Sequence, residues 1–284
     1  MISVVDAAAV ERIVETVLDA LGRGDLESPP DLLLLLRRYI ATGRPELSEA
    51  LGSALGRVLD RCTSPDRPEA PAPEWLPVFV EAAGISEDER LPVAAASLVA
   101  GIRRSWPGRG ELLPSFRAIE GCLSAAHLGN EDDVATSAID ELERLVGRSY
   151  EPGEGLAGHG VLEHAAAAST LLTAFAVAGR LPYAMLAEEL IQHARRTWWN
   201  ENLGGFGEQV AANCEMARVL CRMSALHSDG SYRDIAVLAP SADYAKDARR
   251  TLARVAPSSD DPCVHAALYA LALDEYLKLQ IAEC

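Results

Sequence analysis

Apolar residues recur at helical spacing along most of the chain. Val10, Ile13, Val14 and Val17 follow the i, i+3, i+4, i+7 spacing of a helix that is apolar along one stripe. The strict apolar–polar alternation of a half-buried strand does not extend over a useful length. The pattern therefore predicts an all-α protein, with one-sided helices near 4–21, 46–61, 88–105, 131–147, 182–199 and 242–255.

Between these segments lie helices of a second kind, which are apolar nearly all round. Residues Leu32 to Leu36 form an unbroken leucine run, and the segment 165–179 contains no charged residue. A helix that is apolar on every side must be buried on every side. Buried helices are predicted near 31–41, 75–84, 115–127, 162–178, 210–226 and 263–279.

The two kinds of helix alternate with a period of roughly 40 to 50 residues, which is in the range of helical-hairpin repeats. Six buried helices inside six one-sided ones predict a closed double ring, an (α/α)6 toroid of about twelve helices. The strongly apolar last helix favours closure, because the end repeats of an open solenoid need a polar outer face. The repeat continues across the proline-rich stretch 63–73, so one domain over 1–284 is predicted.

Several segments resemble repeats of the six-hairpin glycosidase-like superfamily. They are 36–47, 198–207 with its Gly-Gly-Phe turn, 213–226, and the ending 272–281. Within the superfamily the chain is most similar to the toroid that follows a thioredoxin-like domain in one widespread family; that domain's strands and Cys-x-x-Cys pair do not occur here. The superfamily includes glycoside hydrolases and sugar epimerases. The resemblance therefore implies a toroid that binds a carbohydrate, without assigning a reaction.

Composition narrows the classes of partner and compartment. The chain has 26 Lys and Arg against 42 Asp and Glu, a net charge of −16, which disfavours binding to nucleic acid or to an anionic membrane. The charged N-terminal helix is unlike a secretory signal, and the longest apolar run, Ala165–Ala178, is shorter than the roughly 20 residues of a membrane span. The six cysteines form no Cys-x-x-Cys pair and are predicted to be reduced thiols, so a cytoplasmic location is expected.

In a double ring, the loops that enter the buried helices meet at one mouth, where helix N-termini favour polar or anionic ligands. All four tryptophans fall on this predicted mouth. Aromatic faces stack on the apolar faces of sugar rings, whereas the alternative is that these residues pack over helix ends. The candidate sugar-binding residues are Trp75, Trp106, Trp198, Trp199 and Phe206.

Acid–base candidates lie in the same loops and first helical turns. Glycoside hydrolysis needs two carboxyl groups, and epimerisation next to a carbonyl needs two bases on opposite faces of one carbon. The candidates are Glu163, His164, Glu208, Asp261 and His265, and the further acids in these segments are Glu154, Glu201, Glu215 and Asp260. Two alternatives stand beside this role. Acids in a first turn stabilise the helix dipole, and His164 is equally consistent with a buried, hydrogen-bonded neutral histidine.

Two other hypotheses stay open. The first is a non-catalytic toroid that binds a protein partner. The second is a zinc enzyme, because Cys214 begins one buried helix while Cys263 and His265 begin the next. This set resembles the Cys-Cys-His zinc site of the lanthionine synthetase cyclase family, and Gly-His-Gly at 158–160 is similar to its glycine-rich turns. That family has a glycine after the ligand, whereas Glu215 follows Cys214 here. The leading hypothesis involves no cofactor.

Overall fold

The computed structural model describes residues 6–25, 27–63, 72–106, 111–126, 132–235, 239, 242–257 and 265–282. Within them the fold is all-α, as predicted. The helices are α1 (Ala7–Gly22), α2 (Pro29–Thr42), α3 (Pro45–Thr63), α4 (Leu76–Ala83), α5 (Arg90–Ser105), α6 (Leu112–Ala125), α7 (Asp132–Ser149), α8 (Val161–Ala178), α9 (Leu181–Trp198), α10 (Val210–Ser228), α11 (Gly230–Ile235), α12 (Tyr244–Val255) and α13 (Ala266–Ala282), and a 3-10 turn, Pro73–Trp75, precedes α4. All twelve predicted helices are present, and the short α11 is additional.

Two antiparallel hairpins of two-residue strands complete the described secondary structure. The first pairs β1 (Tyr150–Glu151) with β2 (Gly155–Leu156), and the second pairs β3 (Trp199–Asn200) with β4 (Gly205–Phe206). They lie between α7 and α8 and between α9 and α10. Pairs this short have no periodicity that a sequence pattern can detect.

The chain divides into two compact units. We call Arg12–Arg144 the N-terminal unit, and Met1–Glu11 together with Leu145–Cys284 the C-terminal unit. In the N-terminal unit the buried helices α2, α4 and α6 pack in that order, and α3 and α5 cover α2 and α4. In the C-terminal unit α8, α10 and α13 pack in order, with α9 against α8 and α12 against α10. Closure of these layers into one ring, and one domain over 1–284, stay predictions.

Burial follows the two kinds of helix. All five leucines of Leu32–Leu36 are buried, so α2 is buried on every side along this run. Among the described helices, α8 alone is long and apolar enough, by length and composition only, to cross a membrane. Its contacts with α9 and α10 account for this composition as that of a core helix.

Candidate functional site

Each hairpin of the C-terminal unit is tied to the helix that follows it by one polar side chain. After the first hairpin this residue is His164, the fourth residue of α8. The backbone N–H of Leu156 donates to His164 Nε2 at 3.0 Å, and His164 Nδ1 lies 2.8 Å from the carbonyl oxygen of Gly160. An N–H can only donate and a carbonyl can only accept, so the neutral ring carries its proton on Nδ1.

This arrangement decides between the two roles expected for His164. The residue is 0% exposed, and burial lowers its pKa to about 4. Both ring nitrogens already bond to backbone groups, so neither is placed to move a proton to or from a ligand. His164 is the buried, hydrogen-bonded neutral histidine, and its candidacy as a catalytic base is withdrawn.

Asn213 occupies the equivalent position after the second hairpin, as the fourth residue of α10. Its Oδ1 accepts from the N–H of Phe206 at 2.8 Å, and its Nδ2 donates to the carbonyl oxygens of Phe206 and Gln209 at 3.2 and 2.8 Å. The two hairpin–helix junctions are therefore built alike, with histidine in one and asparagine in the other. Nothing in the spacing of apolar residues singled out Asn213.

Trp198 belongs to the first junction. Its ring packs edge-on against His164 with centroids 4.9 Å apart, and His193 stacks on His164 at 5.1 Å. Gly155 closes the hairpin against this cluster with φ of +68°, and a Cβ there would lie 2.6 Å from His164 Nε2. The contacts of Trp198 are those of a residue that packs over a helix end.

Trp199 and Phe206 belong to the second junction. The ring of Phe206 is 1% exposed, so the structure presents none of it to a ligand at an open mouth. Trp199 packs edge-on against Phe206 at 5.0 Å and donates its indole N–H to Glu201. The guanidinium of Arg250 lies 5.2 Å from the centre of the Trp199 ring and also pairs with Glu201 at 3.0 Å.

The two remaining tryptophans lie in the N-terminal unit. Trp106 is only 7% exposed, which leaves little of its ring for a ligand. Trp75 is half-buried and stacks on Phe79, with centroids 6.0 Å apart. Both lie at helix ends, Trp75 directly before α4 and Trp106 directly after α5.

The acidic and zinc candidates that the structure describes lie at or near the starts of helices. Glu163 accepts a hydrogen bond from the N–H of Gly160 at 3.1 Å, the helix-start role named as its alternative. Glu208 is exposed before α10, and His265 is half-buried just before α13. Asp261 and Cys263 lie outside the described residues. Cys214 is buried, and the described residues contain no group of three metal-ligating side chains.

A polar cluster crosses the three buried helices of the C-terminal unit. The guanidinium of Arg218 on α10 lies between two carboxylates, 3.2 Å from Glu215 and 2.9 Å from Glu275 on α13. One turn further along α10, Arg222 donates to the hydroxyls of Ser169 and Thr173 on α8, each at 2.9 Å. We call the six side chains the central polar stripe; they are Ser169, Thr173, Glu215, Arg218, Arg222 and Glu275.

Three members of the central polar stripe, one on each helix, lie at similar distances from the starts of their helices. At about 1.5 Å per residue, Ser169, Arg218 and Glu275 each lie roughly 12–14 Å from the first residue of their helix. The side chains of Arg218 and Glu275 are 24% and 20% exposed, although they sit near the middle of helices that are otherwise packed in the core. Solvent, or a ligand in its place, therefore reaches the middle of these helices.

A second polar cluster joins α9, α10 and α12, and sequence reasoning missed it. Glu188 is 5% exposed and accepts hydrogen bonds from the hydroxyl of Tyr244 at 2.8 Å and the N–H of Ala239 at 3.2 Å. His227 Nε2 lies 3.1 Å from the same carboxylate. Burial raises the pKa of Tyr232, whose ring stacks on His227, to about 12. These contacts fasten the start of α12 to α9.

One signal of this cluster was present in the sequence. Glu188 lies on the apolar stripe of α9, at helical spacing from the buried Ala184 and Ile191. A carboxylate on a buried stripe needs donors, and only the packed structure supplies Tyr244 as one of them.

No protein-family model matches this chain, and no curated protein or solved structure matches it significantly. The function is therefore inferred from the residues and their geometry.

Proposed function

We propose that the chain binds a sugar or sugar derivative against the central polar stripe. The proposal rests on two arginines, Arg218 and Arg222, which lie one turn apart on α10. Arg222 is held by a partner on α8 and Arg218 by a partner on α13. Polar groups in the middle of core helices are costly unless they bond to protein, water or ligand. Hydroxyl, carboxylate and guanidinium groups together provide the donors and acceptors that a polyhydroxylated ligand needs.

The stripe replaces the aromatic mouth as the proposed binding site. Phe206 and Trp106 are buried, and Trp199 is engaged by Arg250, whereas the stripe is held in place and partly exposed. Side chains fixed before binding lose little conformational freedom when the ligand arrives, which favours affinity.

Chemistry on the bound sugar would rest on Glu215 and Glu275, since both lie against one guanidinium and so near each other. Hydrolysis and epimerisation both need paired acid–base groups. We place this activity in the cytoplasm, and the free thiols of Cys122 and Cys221 support that compartment.

The test is thermal unfolding against monosaccharides, oligosaccharides, sugar phosphates and sugar acids. A ligand at about 100 times its dissociation constant stabilises by about 2.7 kcal/mol, which raises the Tm by a few degrees. We expect at least one class to raise the Tm, the shift to vanish in Arg222→Gln, and the control Arg233→Gln on α11 to keep it. If no sugar raises the Tm, sugar binding is contradicted. If the Tm shift is lost in Trp199→Ala but kept in Arg222→Gln, the ligand binds at the aromatic residues of the predicted mouth and not at the central polar stripe.

The alternative that the chain binds zinc is tested separately, by the metal content of the purified protein. If Cys214, Cys263 and His265 bind zinc, elemental analysis of the purified protein gives one zinc per chain, and Cys214→Ala loses it. Because Cys214 is fully buried, Cys214→Ser serves as the control for packing, and far-UV circular dichroism shows whether each variant folds.

A further inference from the structure

Six cations lie on two adjoining helices of this strongly acidic protein. On α12, the four cations Lys246, Arg249, Arg250 and Arg254 accompany a single acid, Asp247. The last turn of α9 adds two arginines, and the Arg195–Asp247 ion pair of 2.9 Å shows that the two helices adjoin. We call the set the α9–α12 basic patch; it comprises Arg195, Arg196, Lys246, Arg249, Arg250 and Arg254.

Half of the patch is held by the protein itself. Besides the Arg195 ion pair, Arg250 pairs with Glu201 and Arg254 donates to the carbonyl oxygen of Gly207 at 3.0 Å. The side chains of Arg196, Lys246 and Arg249 are exposed, and within the described part of the chain neither Arg196 nor Arg249 forms an ion pair. Three cations of the patch are therefore held by the protein, and the other three are exposed to solvent.

An apolar element adjoins the patch at the turn of the second hairpin. Leu203, in that turn, is 52% exposed. The next residue, Gly204, lies against Arg250, since a Cβ built there would be 3.3 Å from the Arg250 side chain. The Trp199 ring lies under the same arginine. Arginine and tryptophan are among the residues that contribute most at protein–protein contacts, and the exposed leucine adds apolar surface beside them.

We propose that the α9–α12 basic patch binds a short acidic segment of a partner polypeptide, with one apolar side chain seated near Leu203. The twelve residues of α12 span about 18 Å, which matches about six residues of extended chain. Carboxylates would pair with the exposed arginines through charge-assisted hydrogen bonds. A second copy of this chain carries −16 charges and a nucleic acid carries many more, so a short segment is repelled least.

The experiment is fluorescence anisotropy of the full chain with a labelled peptide of about six residues, glutamates around one central leucine. Two further peptides have glutamine for every glutamate, or alanine for the leucine. We expect binding at about 50 mM salt that weakens steeply toward about 500 mM. Arg249→Glu should weaken binding about tenfold. The control Arg104→Glu, the same change at an exposed arginine of α5, should leave it unchanged.

Several results would overturn the proposal. These are no binding at low salt, equal binding of the glutamine peptide, or equal loss in Arg104→Glu, which would show attraction to charge in general. Salt-dependent self-association in sedimentation velocity that Arg249→Glu abolishes would assign the patch to a second copy of the chain. Tighter binding of a single-stranded oligonucleotide than of the peptide would assign it to nucleic acid. Loss of the leucine preference would remove Leu203 from the site.

Discussion

Replacing His164 by asparagine should change how the stability of the protein depends on pH. The folded protein holds His164 neutral, with its pKa lowered to about 4 from an ordinary value of 6.5. Between these values the unfolded chain binds a proton that the folded chain does not, so the free energy of unfolding falls as the pH falls. The contribution of His164 is fully present above pH 6.5 and is lost as the pH falls to about 4.

The magnitude follows from the size of the window. One pKa unit corresponds to about 1.4 kcal/mol, so the full window is worth up to about 3 kcal/mol, and most of it lies between about pH 7 and pH 4.5. Asn213 shows that asparagine at the same helix position can bond to both the hairpin and the helix start. His164→Asn should therefore fold and should not titrate. At neutral pH we expect it to be about 1–2 kcal/mol less stable than the wild type, because it loses the ring contacts of His193 and Trp198.

The assay is urea denaturation of both proteins at several pH values from about 7.5 to 4.5, followed by tryptophan fluorescence and circular dichroism. The difference between the two free energies of unfolding removes the titration of all other groups. We expect the difference to shrink by about 2–3 kcal/mol across the series, so that the variant equals or exceeds the wild type at the acid end. His159→Asn, at an exposed histidine just before α8, is the control, and its stability difference from the wild type should stay constant across the series. A difference that stays constant with pH would refute the assignment of His164 as a buried neutral ring.

Two further predictions concern the junctions and the buried glutamate. In urea denaturation, Gly155→Ala should lower the free energy of unfolding by at least about 1 kcal/mol more than Gly153→Ala. Both glycines have positive φ, of +68° and +84°, but only at Gly155 would the new Cβ meet His164. Equal losses of stability in the two variants would contradict this contact. Tyr244→Phe should lower the free energy of unfolding by about 1–3 kcal/mol, because it removes a hydrogen-bond donor from the buried Glu188. The loss should be much smaller when Glu188 is already glutamine. Additive losses would show that the two side chains act independently.

The sequence by itself determined twelve of the thirteen described helices and the kind of helix that each of the twelve is. Helix formation and one-sided burial depend on residues three and four positions apart, so the 3.6-residue period predicts them from local spacing. The run Leu32–Leu36 is buried as its composition required, and Glu163 caps α8 as an acid in a first turn can. These features need no knowledge of what packs against the helix.

Only the tertiary structure decided which polar side chains meet. Arg222 reaches Ser169 across 53 positions of the chain, and Tyr244 reaches Glu188 across 56. Such pairs depend on the rotation of one helix about its axis and its height against the next, and apolar spacing specifies neither to the width of a side chain. The same reason explains Phe206, which the loop pattern placed at an open mouth, whereas packing against Trp199 buries its ring. Local periodicity sets which face of a helix is buried, and contacts distant in sequence set what its polar residues touch.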